Sequence, residues 1–422
     1  MSRAWLSFLQ ACATCLVTVA AHGSSRPRAA HAVTLLRDPR ALHDWLTERS
    51  VDVAAAHARV RQAQAESAGS RLLPNPVVDV SVGNAAVGDT NPKGLGLDQT
   101  LIFGAGVSET FELGKRGPRA RAADLRLLAA RRQSQSSLAN AVADARLALG
   151  RAVYARERQR ALAASLSAAR AATAIARGRL EHQALSGVDY DRMVLDLSTL
   201  EADAARGKAE AQAALAECGA ELFARCDLAG TTTADLDAGA PNARTLERRP
   251  DIAAMRLEQR AAESDARLAS RRSIPDLTLR LGYTHDRFTI SGDNENTLSL
   301  SLAAPIPVFD HGQHDRARAL AAAGELSLLT RGTLLRARGD LAALSAKKRM
   351  LSATLQKLEA DLVPRADAVL AAQEKGLAEG QLDTTDLLMA RRQAIALRLQ
   401  ALELRYELFT TKNEIRRVYG AD

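Results

Sequence analysis

One order of structural punctuation is written twice in this chain, and that order limits what it can fold into. Each half reads helix, proline stop, strand, turn, strand, glycine stop, very long helix, glycine break, helix. Pro74 lies about 201 positions before Pro275, Gly117 about 195 before Gly312, and Asp189 about 197 before Asp386. Landmarks at a nearly constant offset mark an internal duplication, and a period of ~200 residues is too long for a solenoid. Two structural halves are therefore expected side by side. They are residues 33–228 and 248–422, joined by a linker at 229–247 and preceded by a signal peptide and leader at 1–32.

Within the first half, small apolar residues recur at helical spacing from Ala41 to Ser70. Leu73-Pro74-Asn75-Pro76 stops that helix, because proline lacks a donor and restricts the residue before it. The period then changes to two. Val78, Val80 and Val82 alternate with Asp79, Ser81 and Gly83, and Leu101 to Leu113 alternates again. After Gly114-Lys115-Arg116-Gly117-Pro118, helix formers run almost unbroken from Arg119 to Arg177. Some 60 residues make a rod of about 90 Å, a length that implies coiled-coil packing. Gly178, Ser186 and Gly187 break it, and Asp189 is placed to cap the next helix.

The second half follows with a helix from Arg249 to Arg272 and a stop at Ile274-Pro275-Asp276. Leu277, Leu279 and Leu281 alternate with Thr278, Arg280 and Gly282, and Thr297 to Ala303 alternates once more. A long helical stretch spans Gln313 to Ala372, a break spans Gly376 to Gln381, and a last helix spans Asp383 to Val418.

Composition fits thin layers. Aromatic residues are only 3% of the 422, so no thick globular core is expected. A strand of roughly 10–13 residues crosses a bilayer when tilted, and in lipid only a closed barrel satisfies its backbone. Four strands cannot enclose a lumen, so three chains supplying twelve are expected. The fold class expected is thus mainly α with membrane β-strands. If the strands are membranous they close as an oligomeric barrel, from which the long helices extend as a bundle.

Met1 to Ala21 has the build of an export signal, with Arg3 ahead of an apolar run and small residues at Val19-Ala20-Ala21. Ala30-His31-Ala32 is a second cleavage candidate, and Leu9-Gln10-Ala11-Cys12 faintly resembles a lipoprotein box. Cys12 and Cys15 fall inside the signal. Cys218 and Cys226 remain, a candidate disulfide in an oxidising compartment. The net charge of +8 is mostly arginine spread along helices, without the concentrated patch that nucleic-acid binding needs. His311 and His314, three apart, are weighed as metal ligands and read instead as a polar rim. Phosphate-loop, dinucleotide and nucleophile-triad patterns are absent, so no enzyme activity and no cofactor are expected.

In this order the sequence resembles the TolC-type outer membrane efflux family over nearly all of the chain beyond the signal. The residues that carry the resemblance are Leu73-Pro74-Asn75-Pro76, Phe111-Glu112-Leu113-Gly114-Lys115-Arg116-Gly117 and Arg249-Pro250-Asp251-Ile252. They continue through Ile274-Pro275-Asp276-Leu277, Ala304-Pro305-Ile306-Pro307-Val308-Phe309-Asp310-His311-Gly312 and Gly380-Gln381-Leu382-Asp383. The resemblance implies a homotrimer in the outer membrane, a TolC-like trimeric 12-stranded β-barrel with four strands per chain, continued by a long α-helical periplasmic barrel. Its implied partners are a periplasmic adaptor protein, an inner-membrane RND transporter and outer-membrane lipid, with no nucleic acid. The Glu112-to-Arg116 form looks most like the branch serving heavy-metal pumps, with drug efflux and type I protein secretion as rivals inside the family. A periplasmic coiled-coil adaptor or scaffold is the alternative from another class. The implied gate or adaptor-docking residues are Asp189, Gly376, Gly380, Asp383 and Asp386.

Overall fold

A computed structural model describes residues 30–85, 87–89, 93–237, 245–287, 294–378 and 384–420. The chain enters as a two-residue strand β1 (Ala30–His31) and two short helices, α1 (Ala32–Arg37) and α2 (Pro39–Arg49). Asp38 caps α2 by accepting from the Arg40 N–H, and Pro39 sits where its missing N–H costs nothing. Helix α3 (Val51–Gly69) leads to β2 (Val77–Gly83), a short helix α4 (Leu97–Thr100) and β3 (Ile102–Phe111). Two long helices follow, α5 (Arg116–Glu181) and α6 (Gly187–Glu221). Then come β4 (Cys226–Asp227), α7 (Pro250–Ser270), β5 (Leu277–Asp286) and β6 (Asn296–Ala303). Helices α8 (Gln313–Lys357), α9 (Val363–Ala378) and α10 (Thr384–Tyr419) end the chain.

Helix α5 runs 66 residues, about 100 Å, and is the spine. Helices α3, α6, α7 and α10 all pack along it, and α7 also packs along α8. Alanine makes this possible by letting axes approach closely. At Gly150 of α5 even a Cβ is excluded, since it would meet Phe409 Cε1 of α10 at 2.2 Å. The largest core gathers there, with Leu149, Val153 and Phe409 packed against Leu36, Leu42 and Leu46 of the entering segment.

Residues 30 and 32 belong to that core. Ala30 and Ala32 are buried, and Ala30 pairs in parallel with Cys226. Signal removal at Ala30-His31-Ala32 would take β1 away, whereas removal after Ala21 leaves it intact. Cys226 is bonded to Cys218 near the end of α6, so the disulfide ties that helix to the strand holding the N-terminal segment.

The structure corrects the expected closed twelve-stranded barrel. The strands form an open antiparallel sheet, β2-β3-β5-β6, whose outer strands β2 and β6 each keep a free edge. Its strands have 7, 10, 10 and 8 residues, so two of them fall short of the expected length. Physically, four strands cannot curl far enough to meet, since even a side-chain-filled barrel takes about eight. No described helix is long and apolar enough to cross a membrane.

A second difference lies in the helix expected from Gln313 to Ala372. It is interrupted by a π turn at Leu358–Leu362. Pro364 follows; it has no N–H to offer the Ala360 carbonyl, and its ring would clash there in a regular helix. The wider turn absorbs the misfit.

Replacing Cys218 by serine should lower stability by about 2–3 kcal/mol, the loop-closure value for so short a loop. Thermal unfolding of the oxidised wild type and the variant, side by side, measures this, and equal midpoints would show that the bond constrains nothing.

Candidate functional site

The sheet has two unlike faces because the strand period is two and the register keeps like residues together. Val78 pairs with Val107, Val107 with Leu281 and Leu281 with Leu300. Val80, Ala105, Tyr283 and Leu298 make a second such row. These side chains stand in the open: Val80 is 78% and Leu298 73% exposed. So large a bare apolar face is costly in water.

The opposite face is polar. Thr110 and Thr278 hydroxyls bond across β3 and β5 at 3.0 Å. Asp79 of β2 and Arg280 of β5 meet over the strand between them, with Arg280 Nε donating to Asp79 Oδ1 at 3.2 Å and a second guanidinium N–H to Oδ2. Glycine clears the route. A Cβ on Gly106 would lie 2.8 Å from Asp79 Oδ1 and 2.9 Å from an Arg280 nitrogen.

Just beyond the sheet, the motif residues of the two halves meet. Lys115 Nζ lies 2.8 Å from Asp276 Oδ2, both largely buried. Arg119 bonds Glu112 at 2.5 Å and also donates to the Ser70 and Leu72 carbonyls, at 2.9 and 3.1 Å. The Glu112 hydrogen bond is the main reason that Arg119 is held above its ordinary pKa. Gly312 takes φ 85°, and a Cβ there would lie 2.1 Å from the Ala269 carbonyl, so only glycine fits. Glu112, Lys115, Asp276 and Gly312 thus form the collar where sheet becomes helix. His311 and His314 flank this collar, and among the described residues no three His, Cys, Asp or Glu side chains gather to hold a metal ion.

The far end of the helices holds the other singled-out residues. Asp189 sits in the first turn of α6, where Ser186 is the N-cap. The Ser186 hydroxyl accepts from the Asp189 N–H at 3.1 Å and donates to its carboxylate at 2.6 Å, and Arg192 pairs with that carboxylate at 3.3 Å. Asp386 is exposed in the first turn of α10, and Gly376 lies near the end of α9. Gly380 and Asp383 fall outside the described residues. A small apolar cluster of Ala176, Met193 and Leu388 joins α5, α6 and α10 at this end. Ile175, Val188, Leu195 and Met389 are exposed around it.

Sequence reasoning missed the charges that hold these helices together. Asp196 of α6 is buried and bonds Arg392 of α10 at 2.5 Å. Along α10, Arg391 faces Glu374 and Arg398 faces Asp367 of α9, and Arg405 faces Glu359 of the π turn. The arginines are spaced by seven and seven, the acids by seven and eight. The π turn, which contains Glu359, supplies the extra residue, so the ladder stays in register. A heptad count of arginines would have found one side of it.

Replacing Lys115 by methionine should destabilise the collar by about 2 kcal/mol, because Asp276 loses its counter-charge while largely buried. Thermal unfolding of K115M, D276N and the double variant checks this. The double variant should recover most of the loss; if it adds the two single losses, the pair is not coupled.

Residues 243–421 match the family model described as outer membrane efflux protein. The cobalt-zinc-cadmium resistance protein CzcC of Cupriavidus metallidurans is 27% identical over 178 residues, which is 42% of this chain and 41% of that relative. The chain therefore matches about two fifths of that curated relative's length. A solved structure of CusC, described by its conformational changes on folding and transmembrane channel formation, superposes with a TM-score of 0.78. It covers 94% of this chain and 96% of that one at 16% identity. The outer membrane protein VceC of Vibrio cholerae gives 0.73 over 93% and 99% at 17% identity. The outer-membrane channel OprN gives 0.72 over 94% of both chains at 22% identity. The second half of the chain thus matches the outer membrane efflux protein family, and the fold it shares with these structures extends along almost the whole length.

Proposed function

We propose that this chain is the outer-membrane duct of a tripartite efflux system that exports heavy-metal cations. In this reading it works as a homotrimer, met by a periplasmic adaptor and an inner-membrane RND transporter. The observation that carries the reading is an asymmetry in helix packing. Helix α7 lies along both α5 and α8, whereas among the described residues α3, its counterpart in the first half, packs along α5 without a comparable contact to α8. Two flanks are left over.

On α3, Val51, Ala55, Ala65 and Gly69 are exposed at coiled-coil spacing. On α8, Leu328 and Leu335 project, at 66% and 61% exposure. Gly324 and Gly339 beside them leave room for a neighbour, since a Cβ at either would meet nothing within 4 Å. Small residues on one flank and leucine knobs on the other are complementary. A second copy's α3 can lie beyond α8 as α7 lies before it. Such a contact is head-to-tail and closes only as a ring.

The other parts follow. The apolar face of the sheet turns to outer-membrane lipid and the polar face to water. The far helical end, with Asp189, Asp386 and the exposed Val188, Leu195 and Met389, meets the adaptor. A duct does no covalent chemistry; it offers water where there was lipid. The match to a cobalt-zinc-cadmium resistance protein supports metal as cargo.

Two measurements test this. The extracted wild type should be a trimer by native mass spectrometry, and L328E with L335E should leave monomers; a monomeric wild type would overturn the assembly. Deleting the gene should sharpen sensitivity to cobalt, zinc or cadmium. Unchanged metal tolerance with raised drug sensitivity would overturn the cargo.

A further inference from the structure

Asp79 and Arg280 pair through both carboxylate oxygens. They stand on the sheet's polar face at 37% and 46% side-chain exposure, away from the collar that joins sheet to helices. Along the described strands the other charge on that face is Asp286, at the end of β5. The two residues are not register partners. Asp79 opposes Gly106, and Gly106 opposes Gly282; Arg280 opposes Ser108 on one side and Ser301 on the other. Arg280 therefore reaches diagonally across the whole of β3, passing over Gly106 where any side chain would block it. The sheet keeps a glycine beneath this reach so that one particular carboxylate is covered.

We propose that Arg280 is a selectivity residue: it neutralises Asp79 so that this level of the water-filled passage carries no bare carboxylate to capture its cations. The inference rests on the channel reading, which turns this face to the passage. A bare carboxylate repeated in each copy would be a ring of negative charge. Such a ring draws cations in, and it holds divalent ones strongly. Transport needs binding weak enough for release. A bidentate guanidinium occupies both carboxylate oxygens, which are the atoms a divalent cation would take, and leaves the wall neutral at that level. The ion class that this pair governs is the divalent metal cation, with monovalent salt reporting the wall charge.

The test uses the full-length protein in planar lipid bilayers, with reversal potentials in a KCl gradient and block by added ZnCl2. R280Q should raise cation-over-anion permeability roughly fivefold and bring on block by zinc. D79N should shift permeability toward chloride without zinc block. The D79N/R280Q double variant should return close to wild type on both readouts. Because the two single variants shift selectivity in opposite directions, either one that inserts is decisive. Conducting variants with unchanged reversal potential and zinc response would overturn the proposal alone. A wild type that inserts and conducts nothing would overturn the channel reading, and the proposal with it.

Discussion

The pairing of β3 with β5 is the interaction on which the rest depends. These strands belong to different halves of the chain, yet they align over ten residues in unbroken antiparallel register, from Ile102 opposite Asp286 to Phe111 opposite Leu277. A two-stranded ribbon alone is marginal in water. Joined through this pairing, the two ribbons become one sheet with an apolar side and a polar side. The register also fixes where the helices leave. Phe111 and Leu277 end the ladder together, which brings Lys115 beside Asp276 and sets the start of α5 next to the end of α7. The long contact between α5 and α7 then continues below the collar what the strands begin above it.

Most of this architecture was legible because proline, glycine and period change are local signals. Pro74 and Pro275 mark the ends of helices, and the valines of β2 and leucines of β5 show the period of two. What was not legible depends on distant partners. The helical spacing of residues 32–37 is masked by a basic stretch, and only the core around Leu149 and Phe409 explains why Ala32, Leu35 and Leu36 are buried there. The π turn is a one-residue event inside a stretch of good helix formers. Pro364 was visible, but its remedy depends on which acids must face Arg398 and Arg405. The strands were also read as longer than they are. Alternation continues through Leu101 and Leu113, but the ladder ends where β3 loses its partners.

The candidate site was legible in part for the same reason. The motif residues around Lys115 and Asp276 stood out in sequence, but their contact joins positions more than 150 apart and appears only once the halves are folded together. At the far helical end the prominent Asp189 turns out to be held by its own N-cap serine and by Arg192, all local contacts. The buried carboxylate that links two helices there is Asp196, which carries no turn or glycine signal to mark it.

The excess of arginine takes on a different meaning in this setting. Spread along helices, it first reads as a solvated surface. Yet Arg151, Arg158 and Arg170 of α5 face Glu217, Glu210 and Glu201 of α6, and three arginines of α10 face acids of the π turn and α9 in the same manner. Exposed pairs of this kind contribute only about 0–1 kcal/mol each. Their value lies in register rather than in strength. Alanine-rich helices have few distinctive knobs, so one helix could slide along another by a turn at little cost in packing. A slide of one turn would leave every arginine in the ladder without its acid at once. The charges therefore choose one alignment among several that alanine packing alone would tolerate.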